Sequence, residues 1–351
     1  MKPEELEEEA AKALRTALNE IAFAQIVEMR GPRDRSEAAV DWLARLRLPD
    51  HDLWVLAEVK STGEPRLARD AVNQILRDQT GFPGAYGVFI APWVSPRAAE
   101  ICREAGIGYV DLAGNCRLTF NTVHIEKTGN PNPFSEKRDL RSLYSPKAAR
   151  VLRVLLHSPR RPWKLQALAD EAQVSLGQVH KVKSLLADRE WLRPDPEGSV
   201  LSKPAELLAE WSQNYSYRRN DVRQYYTMES PGEAENSLTT TCTKLGIRYA
   251  LAAFSAAARF APFVRYQRAY AYVQEEGSEE LVIAMRMKEV PSGANLTLLV
   301  PYDEGIWYGV KETAGANVTS EIQTYLDLHS MHERGEEAAS FLLQQVINPL
   351  W

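Results

Sequence analysis

The sequence predicts a multidomain protein of the α/β and α+β classes, with an α/β domain first, a small domain of helices and one hairpin next, and an α+β domain last. Three observations predict this. The 351 residues exceed what one hydrophobic core usually serves. Two stretches rich in turn-forming or polar residues, 128–136 and 212–220, interrupt the periodic pattern. Residues 137–200 carry 13 Lys and Arg against 7 Asp and Glu, whereas the rest carries 29 against 40. The predicted domains span residues 1–130, 140–204 and 213–351.

The composition favours packed domains without disulfides or metal-binding cysteines. Hydrophobic residues make up 44% of the chain and charged residues 25%, which argues against disorder. The cysteines are Cys102, Cys116 and Cys242, an odd number without a CxxC pair. The first residues lack the basic flank and apolar core of a signal peptide, and the longest apolar run, 249–264, is too short to span a membrane. We therefore expect a cytoplasmic protein without membrane contacts.

The first domain shows an order of elements typical of an α/β sandwich. A helix is predicted over about residues 3–18, 67–78 and 96–105. Strands are predicted near 23–29, 41–48, 53–60, 86–91, 108–112, 116–120 and 124–127.

Glu58-Val59-Lys60 ends one of these strands and defines the candidate chemistry of the domain. If residues 49–52 form a four-residue turn, opposed positions in the hairpin sum to 101, so Asp41 faces Lys60 and lies diagonal to Glu58. A slip of one residue would bury charges. Gln74 on the following helix can reach the same site. The register places only apolar residues on the other face: Trp42, Ala44, Leu46, Leu48, Leu53, Val55, Ala57 and Val59.

Such a cluster suits metal-dependent cleavage of a phosphodiester, in which two carboxylates hold a divalent cation and a lysine positions water. Asp41, Glu58, Lys60 and Gln74, in the order strand, strand, helix, resemble the PD-(D/E)xK restriction-endonuclease-like core. The resemblance implies that these four residues are catalytic, with Asp41 and Glu58 as Mg²⁺ ligands. The alternative is an Asp–Lys cross-strand pair on a solvated sheet face, without a metal. Both stay open, and we favour a protein that does not cut DNA.

The middle domain begins at Ser145-Pro146, a strong helix start followed by apolar residues at helical spacing. A second helix is predicted over about 164–172 and a third from a turn at 174–177 to about 189, with Val179, Val182, Leu185 and Leu186 facing inward. Residues 193–200 then have turn residues in the middle of a hairpin. From Ser145 to Lys203 this pattern resembles the winged helix-turn-helix family.

The resemblance implies contacts with double-stranded DNA that need no cofactor. Ser175, Gln178, His180, Lys181 and Ser184 point outward near the amino end of the third helix, where a recognition helix meets base edges. Arg160, Arg161 and Lys164 lie at the entry to the second helix, where phosphates are held. Lys183, Arg193 and Lys203 complete the predicted set. The alternative is a solvated helix face, or a domain that contacts another protein.

The last domain shows strands and helices but no nucleophile–base pair, Gly-rich phosphate loop or metal cluster, which favours binding. Helices are predicted over 205–211, 251–263, 321–328 and 336–346, and strands over 266–273, 281–287, 294–301 and 306–311. In the first domain, residues 111–115 (DLAGN) are interpreted as a tight turn, with a substrate-facing loop as the alternative.

Four segments resemble the AbiEi-like family of type IV antitoxins and transcriptional regulators: 145–152 (SPKAARVL), 293–296 (GANL), 324–328 (TYLDL) and 334–339 (RGEEAA). The resemblance covers roughly residues 140–351, and the first domain resembles the endonuclease-like extension of some members. It implies a DNA-binding autorepressor of an abortive-infection or toxin–antitoxin-like operon, that is, a role in phage defence. The alternatives are a Mg²⁺-dependent nuclease and a protein that neutralises a toxin. A homodimer is expected, because regulators often bind palindromic half-sites.

Overall fold

The computed structural model describes residues 3–31, 40–134, 143–261, 265–331 and 334–351. They group into two compact units, the first within 1–139 together with 186–190, and the second within 140–185 together with 191–351. Except for residues 186–190, the predicted middle and last domains thus fall in the second unit. Among the described residues no helix has the length and apolar character needed to cross a membrane. Residues 135–136 of the predicted boundary and 262–263 of a predicted helix lie outside the described ranges.

The first unit contains a seven-stranded mixed sheet in which the strands follow one another in chain order. Its elements are α1 (Pro3–Asn19), β1 (Gln25–Arg30), β2 (Trp42–Arg47), β3 (Asp52–Val59), α2 (Pro65–Asp78), β4 (Tyr86–Ala91), α3 (Pro96–Glu104), β5 (Gly108–Asp111), β6 (Cys116–Phe120) and β7 (Val123–Lys127). Every helix and strand predicted for this unit is present, with ends shifted by at most about two residues.

The centre of the sheet is parallel and its two flanks are antiparallel. β3, β4 and β5 run parallel, connected by α2 and α3, whereas β1–β2–β3 and β5–β6–β7 form antiparallel meanders. β4, at the centre, is buried at all six positions, as expected for a parallel strand covered on both faces. The side chains that end β3, β4 and β5 therefore meet at one edge of the sheet.

Helices cover both faces of this sheet. Leu14 and Leu18 of α1 pack with Leu46 and Val55 on one face. Ala71 and Ile75 of α2, together with residues of α3, pack on the other. The face that carries Asp41, Glu58 and Lys60 is therefore partly buried, and the solvated sheet face of the alternative interpretation is wrong.

The predicted register of the β2–β3 hairpin is wrong by two positions. Trp42 pairs with Ala57 and Arg47 with Asp52, so opposed residues sum to 99. The turn is residues 48–51, closed by the Leu48 N–H, which donates to the His51 carbonyl at 2.9 Å. A shift of two keeps each side chain on its predicted face, because side chains alternate along a strand. The hydrophobic pattern determines this alternation but not the position of the turn, and the shift brings Asp41 beside Glu58.

The second unit opens with three helices and a hairpin: α4 (Pro146–His157), α5 (Leu165–Ala172), α6 (Leu176–Asp188), β8 (Leu192–Asp195) and β9 (Gly198–Leu201). Only the last three residues of α6, 186–188, group with the first unit. Val151, Leu152, Val179 and Val182 are buried, as their spacing predicts, whereas Leu185 is only half-buried. Gln173 ends α5 in the left-handed conformation at φ 52°, which makes the tight turn before α6.

The rest of this unit is an α+β arrangement around a second seven-stranded sheet. Its strands are β10 (Asp221–Tyr226), β11 (Tyr249–Leu251), β12 (Ala269–Val273), β13 (Lys288–Glu289), β14 (Leu296–Val300), β15 (Lys311–Thr313) and β16 (Ala316–Val318). They lie in the sheet in the order β13-β10-β14-β12-β11-β16-β15. Its helices are α7 (Pro204–Gln213), α8 (Pro231–Leu245), α9 (Ala253–Phe260), α10 (Ser278–Ala284), α11 (Glu321–His329), α12 (Arg334–Leu342) and α13 (Asn348–Leu350). A π-helical turn lies at Leu343–Ile347, and 3-10 turns lie at Tyr217–Arg219 and Glu304–Trp307.

Two strand predictions in this region are wrong. Residues 281–287 (LVIAMRM) look like a strand, but most of the run belongs to α10, where Leu281 faces the core and Ile283 is 76% exposed. Short apolar runs do not distinguish strand from helix by periodicity alone. Of the predicted strand 306–311, residues 306–307 end a 3-10 turn, residues 308–310 lie outside regular structure, and Lys311 is the first residue of β15. The other elements of this region that were not predicted are β10, β11, β13, β16, α8 and α13.

Candidate nucleic-acid interface

The amino-terminal half of α6 presents the predicted outward face to solvent. The Ser175 hydroxyl oxygen accepts a hydrogen bond from the Gln178 N–H at 3.3 Å and so caps the helix. Ser175, His180, Lys181 and Ser184 are exposed, and Gln178 is half-buried. These side chains project from two successive turns of one helix, the length of surface that a major groove can accept.

Lys183 differs from the other predicted contacts, because it is half-buried. Burial lowers the pKa of its ammonium group. Lys181, two residues earlier, is exposed. Of the two lysines, Lys181 is therefore the better placed to meet an external anion.

The remaining predicted cations come before or after α6 in the sequence, and all of them are exposed: Arg160, Arg161, Lys164, Arg193 and Lys203. Two of them also have partners within the unit. The Arg161 guanidinium stacks over the Trp163 ring at 4.0 Å, and Lys203 forms an ion pair with Glu206 at 3.4 Å. Exposed cations of this kind bind phosphates at little desolvation cost.

The hairpin is attached to the helices through one extended residue. Trp163, which is buried, exchanges two backbone hydrogen bonds with Ser199: Trp163 N–H to Ser199 O at 2.9 Å and Ser199 N–H to Trp163 O at 3.1 Å. Gly198 approaches this residue so closely that a Cβ would stand 2.4 Å from the Trp163 carbonyl oxygen. Trp163 thus forms an isolated antiparallel bridge to β9, beside the two-stranded β8–β9 sheet, and holds the hairpin near its tip.

The three-helix segment is also bonded to the C-terminal part of its unit. Arg150 of α4 forms a bidentate ion pair with Asp303, at 2.8 and 2.9 Å. The Tyr308 hydroxyl donates to Glu171 of α5 at 2.9 Å. These partners are more than a hundred residues apart in sequence, and nothing in the sequence signalled them. The bonds engage α4 and α5, whereas the exposed polar face belongs to α6.

The first unit contains the second candidate site. The Val59 N–H donates to the Asp41 carboxylate at 2.9 Å, and the Lys60 ammonium donates to Glu58 Oε1 at 2.7 Å. Glu58 is 6% exposed, and its Oε2 atom has no hydrogen-bond partner among the described residues. Burial foremost, with a contribution from the Asp41 charge, raises the pKa of Glu58 against the opposing effect of Lys60. The structure thus brings Asp41, Glu58 and Lys60 together.

The hydrogen bonds of the Gln74 side chain are to neighbours on α2 and not to this cluster. Its amide donates to Asp78 at 3.0 Å and its carbonyl oxygen accepts from Arg77 at 2.7 Å, both within α2. Within the described part of the chain, no group of three or more His, Cys, Asp or Glu side chains is placed to hold a metal ion. The two carboxylates nevertheless suit Mg²⁺, which commonly binds one or two carboxylates and keeps several waters. The unpartnered Glu58 oxygen is consistent with such a ligand.

The loop at residues 111–115 forms a closed turn. Both carboxylate oxygens of the buried Asp111 accept hydrogen bonds from Asn115, and Oδ2 also accepts one from the Val94 N–H at 3.2 Å. Gly114 supplies the positive φ of 94°. This carboxylate is saturated by bonds within the fold, which agrees with the turn interpretation.

A family model described as a transcriptional regulator and AbiEi antitoxin of a type IV toxin–antitoxin system matches residues 199–348. The match covers 150 of the 351 residues, from β9 to the last helix. It confirms the AbiEi-like resemblance for this part of the chain. No curated protein and no solved structure matches the sequence.

Proposed function

We propose that the protein is a DNA-binding transcriptional regulator and that residues 145–203 form a winged helix-turn-helix. The observation that carries the proposal is the exposed polar face of α6, with Ser175, His180 and Lys181, in a segment whose surrounding cations are also exposed. In this proposal α6 enters the major groove, the β8–β9 hairpin forms the wing, and Arg160, Arg161 and Lys164 bind phosphates.

The charge distribution supports a polyanionic ligand. The net charge of residues 137–200 is +6, although the whole chain carries −5. The phosphates of DNA attract the basic segment and repel the acidic remainder of the protein. This difference favours a single orientation of the protein on the duplex. Binding through phosphates also predicts a steep dependence on salt concentration.

The family match supports the regulatory part of the proposal. The matched family is described as a transcriptional regulator and antitoxin of a type IV system, which is consistent with a regulatory role. Autorepression of an abortive-infection or toxin–antitoxin-like operon is the specific form of regulation that we propose. A cytoplasmic homodimer on a palindromic operator is the corresponding assembly, since a two-fold protein places two recognition helices one helical turn apart. As an alternative function, residues 213–351 bind and neutralise a toxin protein. Co-purification with the product of a neighbouring gene tests this alternative.

Fluorescence anisotropy with a duplex from the region upstream of the protein's own gene tests DNA binding. Lys181→Glu should weaken binding by at least about tenfold, because it places a negative charge against the groove. Lys164→Ala should reduce the slope of log affinity against log salt by about one. Lys12→Glu on α1, also an exposed lysine, is the matched control. Equal affinities of Lys181→Glu and the control would contradict the proposed interface.

The second candidate is a Mg²⁺-dependent deoxyribonuclease, favoured by the position of Asp41 beside Glu58. Asp41 and Glu58 would hold the ion, and the Lys60 ammonium would lie beside them, where it can orient water. A bound Mg²⁺ supplies charge stabilisation to a phosphodiester under attack. The bonds of Gln74 within α2 leave it without a role that the structure supports.

Plasmid cleavage in Mg²⁺ or Mn²⁺ tests this candidate. Activity that disappears in both Glu58→Ala and Lys60→Ala, but persists in Glu126→Ala, would establish the nuclease. Glu126 lies on the edge strand β7 and is exposed, so it serves as the matched control. An intact plasmid with wild-type protein in either metal would exclude cleavage under these conditions and leave the regulator proposal unaffected.

A further inference from the structure

Three polar side chains from distant parts of the sequence meet in the interior of the second unit. Arg153 of α4 is 2% exposed, and Gln323 and Asp327 of α11 are fully buried. Gln323 and Asp327 are one helical turn apart and point to the same side of α11. Arg153 therefore connects the first of the three helices to the C-terminal part of the unit through the interior.

The hydrogen bonds form a chain with a defined direction. Asp327 Oδ1 accepts from the Tyr215 hydroxyl at 2.7 Å, the Tyr272 hydroxyl at 2.9 Å and the Gln323 amide nitrogen at 2.8 Å. The Gln323 carbonyl oxygen accepts from the Arg153 guanidinium at 2.5 Å. Asp327 Oδ2 and Arg153 Nε have no hydrogen-bond partner among the described residues. The Gln323 amide nitrogen also donates to the Tyr215 hydroxyl at 2.8 Å. Gln323 therefore connects a buried carboxyl group to a buried guanidinium.

The orientation of the Gln323 amide depends on the charge of Asp327. An ionised carboxylate only accepts hydrogen bonds, so it requires the NH₂ group of Gln323 and turns the carbonyl oxygen towards Arg153. A neutral carboxylic acid can also donate, which permits the reversed amide. The reversed amide would set its NH₂ group against the guanidinium, donor against donor, and Arg153 would lose its partner.

Several groups act on the charge of Asp327. Burial raises the pKa of Asp327 to about 7, opposed by the hydrogen bonds from Tyr215, Tyr272 and Gln323 and by the positive charge of Arg153. The other helices packed on α11 bring charged residues whose positions differ. On α9, Arg259 is paired with Glu235 at 2.7 Å. On α7, Glu206 is exposed and Glu210 accepts from the Tyr144 hydroxyl at 2.8 Å. The charged residues of α12 are exposed: Arg334, Glu336 and Glu337. Arg153 is therefore the cation that faces this carboxylate.

We propose that Arg153, Gln323 and Asp327 form a proton-sensitive relay through which the charge of Asp327 positions α4 and, with it, the three-helix segment. Asp327 is then a positioning residue of the interface: it acts through Gln323 and Arg153 and touches no DNA. Its effect on DNA affinity rests on the proposed DNA-binding function, whereas its effect on Arg153 does not. The ionised state holds the arrangement described above, whereas protonation removes the negative charge that attracts Arg153 and permits the reversed amide.

Trp211 offers a readout that needs no DNA, because the Arg153 guanidinium lies over its ring at 5.0 Å. The indole N–H resonance of Trp211, assigned with Trp211→Phe, should move between about pH 6 and pH 8 in the wild type and stay constant in Asp327→Asn. Asparagine is neutral and carries an NH₂ donor, so it mimics the protonated acid. Trp163, under Arg161, is the matched control and should not move.

DNA affinity is measured at pH 6 and pH 8 for the wild type and for Asp327→Asn, so that any pH dependence that does not involve Asp327 is common to both proteins. Affinity should fall by about fivefold from pH 8 to pH 6, and Asp327→Asn should bind at both pH values as the low-pH protein does. In Arg153→Met, which lacks the group at the end of the relay, Asp327→Asn should have no further effect. Circular dichroism establishes that each variant is folded. If Arg153→Met does not fold, Asp327→Asn and the Trp211 resonance still decide.

A Trp211 resonance that stays constant with pH in the wild type would overturn the relay, whatever the DNA result. A Trp211 resonance that moves, combined with DNA affinity that does not change with pH, would restrict the relay to the interior and contradict its positioning role. Absence of DNA binding by the wild type at every pH would instead refute the proposed function and leave the Trp211 test intact.

Discussion

Replacement of Gly198 by alanine should detach the hairpin of the second unit. The added Cβ would stand 2.4 Å from the Trp163 carbonyl oxygen and 2.8 Å from the Lys164 nitrogen, and both are backbone atoms. The φ of Gly198 is 149°, a conformation that residues with a Cβ rarely adopt. The clash forces the chain away from Trp163, and the backbone conformation is strained in addition.

The expected magnitude follows from these contacts. A strained backbone conformation costs about 1–3 kcal/mol. Loss of the two hydrogen bonds between Trp163 and Ser199 adds about 1 kcal/mol each. We therefore expect the free energy of unfolding to fall by roughly 3–5 kcal/mol, a large part of the ~5–15 kcal/mol typical of a folded domain.

Urea unfolding followed by circular dichroism measures the effect, and Gly177→Ala is the control. Gly177 lies in α6, and a Cβ there would have no neighbour within 4 Å. Alanine should stabilise this helical position by about 0.5–1 kcal/mol. The same chemical change should thus have opposite signs at the two sites. A Gly198→Ala protein as stable as the wild type would refute the argument from close approach.

Three further predictions concern stability and reactivity. Gln173→Gly should raise the free energy of unfolding by about 1 kcal/mol, measured in urea, because Gln173 has a left-handed φ of 52°; an unchanged midpoint would contradict this. Burial raises the pKa of Asp327 from 3.8 to about 7, so the folded state favours the neutral carboxyl group. The free energy of unfolding should therefore fall as the pH rises from about 4 to 7, by up to ~4 kcal/mol relative to Asp327→Asn. Parallel curves of unfolding free energy against pH for the two proteins would exclude this. Burial raises the pKa of Cys102 and Cys242 to about 12, so both thiols should resist an aromatic disulfide reagent until urea unfolds the chain; rapid reaction of the native protein would disprove it.

Charged groups are costly to bury, and this unit buries both Arg153 and Asp327. A carboxyl group whose folded state favours the neutral form lowers stability when it ionises near neutral pH. Burial of Arg153 and Asp327 is therefore not explained by stability. Buried polar networks of this kind specify one arrangement of the elements that they join, which is the role proposed for Gln323.

The sequence was sufficient for the elements that depend on local signals. Apolar spacing predicted α4 to α6, and the Pro and Gly in 193–200 predicted the hairpin turn. The alternation of apolar residues in β2 and β3 predicted which side chains share a face, because this depends only on the two-residue period of a strand. The predicted exposure of Ser175, His180 and Lys181 also agrees with the structure, since polar residues on a helix face need no tertiary partner.

The sequence was insufficient wherever two equivalent local solutions existed. The hairpin register could shift by two residues without exchanging its faces, so the predicted pairing of Asp41 with Lys60 was wrong. The run at 281–287 satisfied both strand and helix patterns, and packing of Leu281 against the second sheet selects the helix. Gln74 had a suitable position in sequence, but its neighbours on α2 satisfy its amide.

By itself, the amino-acid sequence determined the basic middle segment, the order of the elements in the first unit, and the family resemblance of the C-terminal part. Only the tertiary structure decided that Glu58 is buried beside Asp41, that Lys183 is half-buried, and that Arg153 meets Gln323. The physical reason is the range of the forces involved. Propensity and periodicity act over a few neighbouring residues, whereas desolvation and hydrogen bonding between distant segments depend on which residues folding brings together.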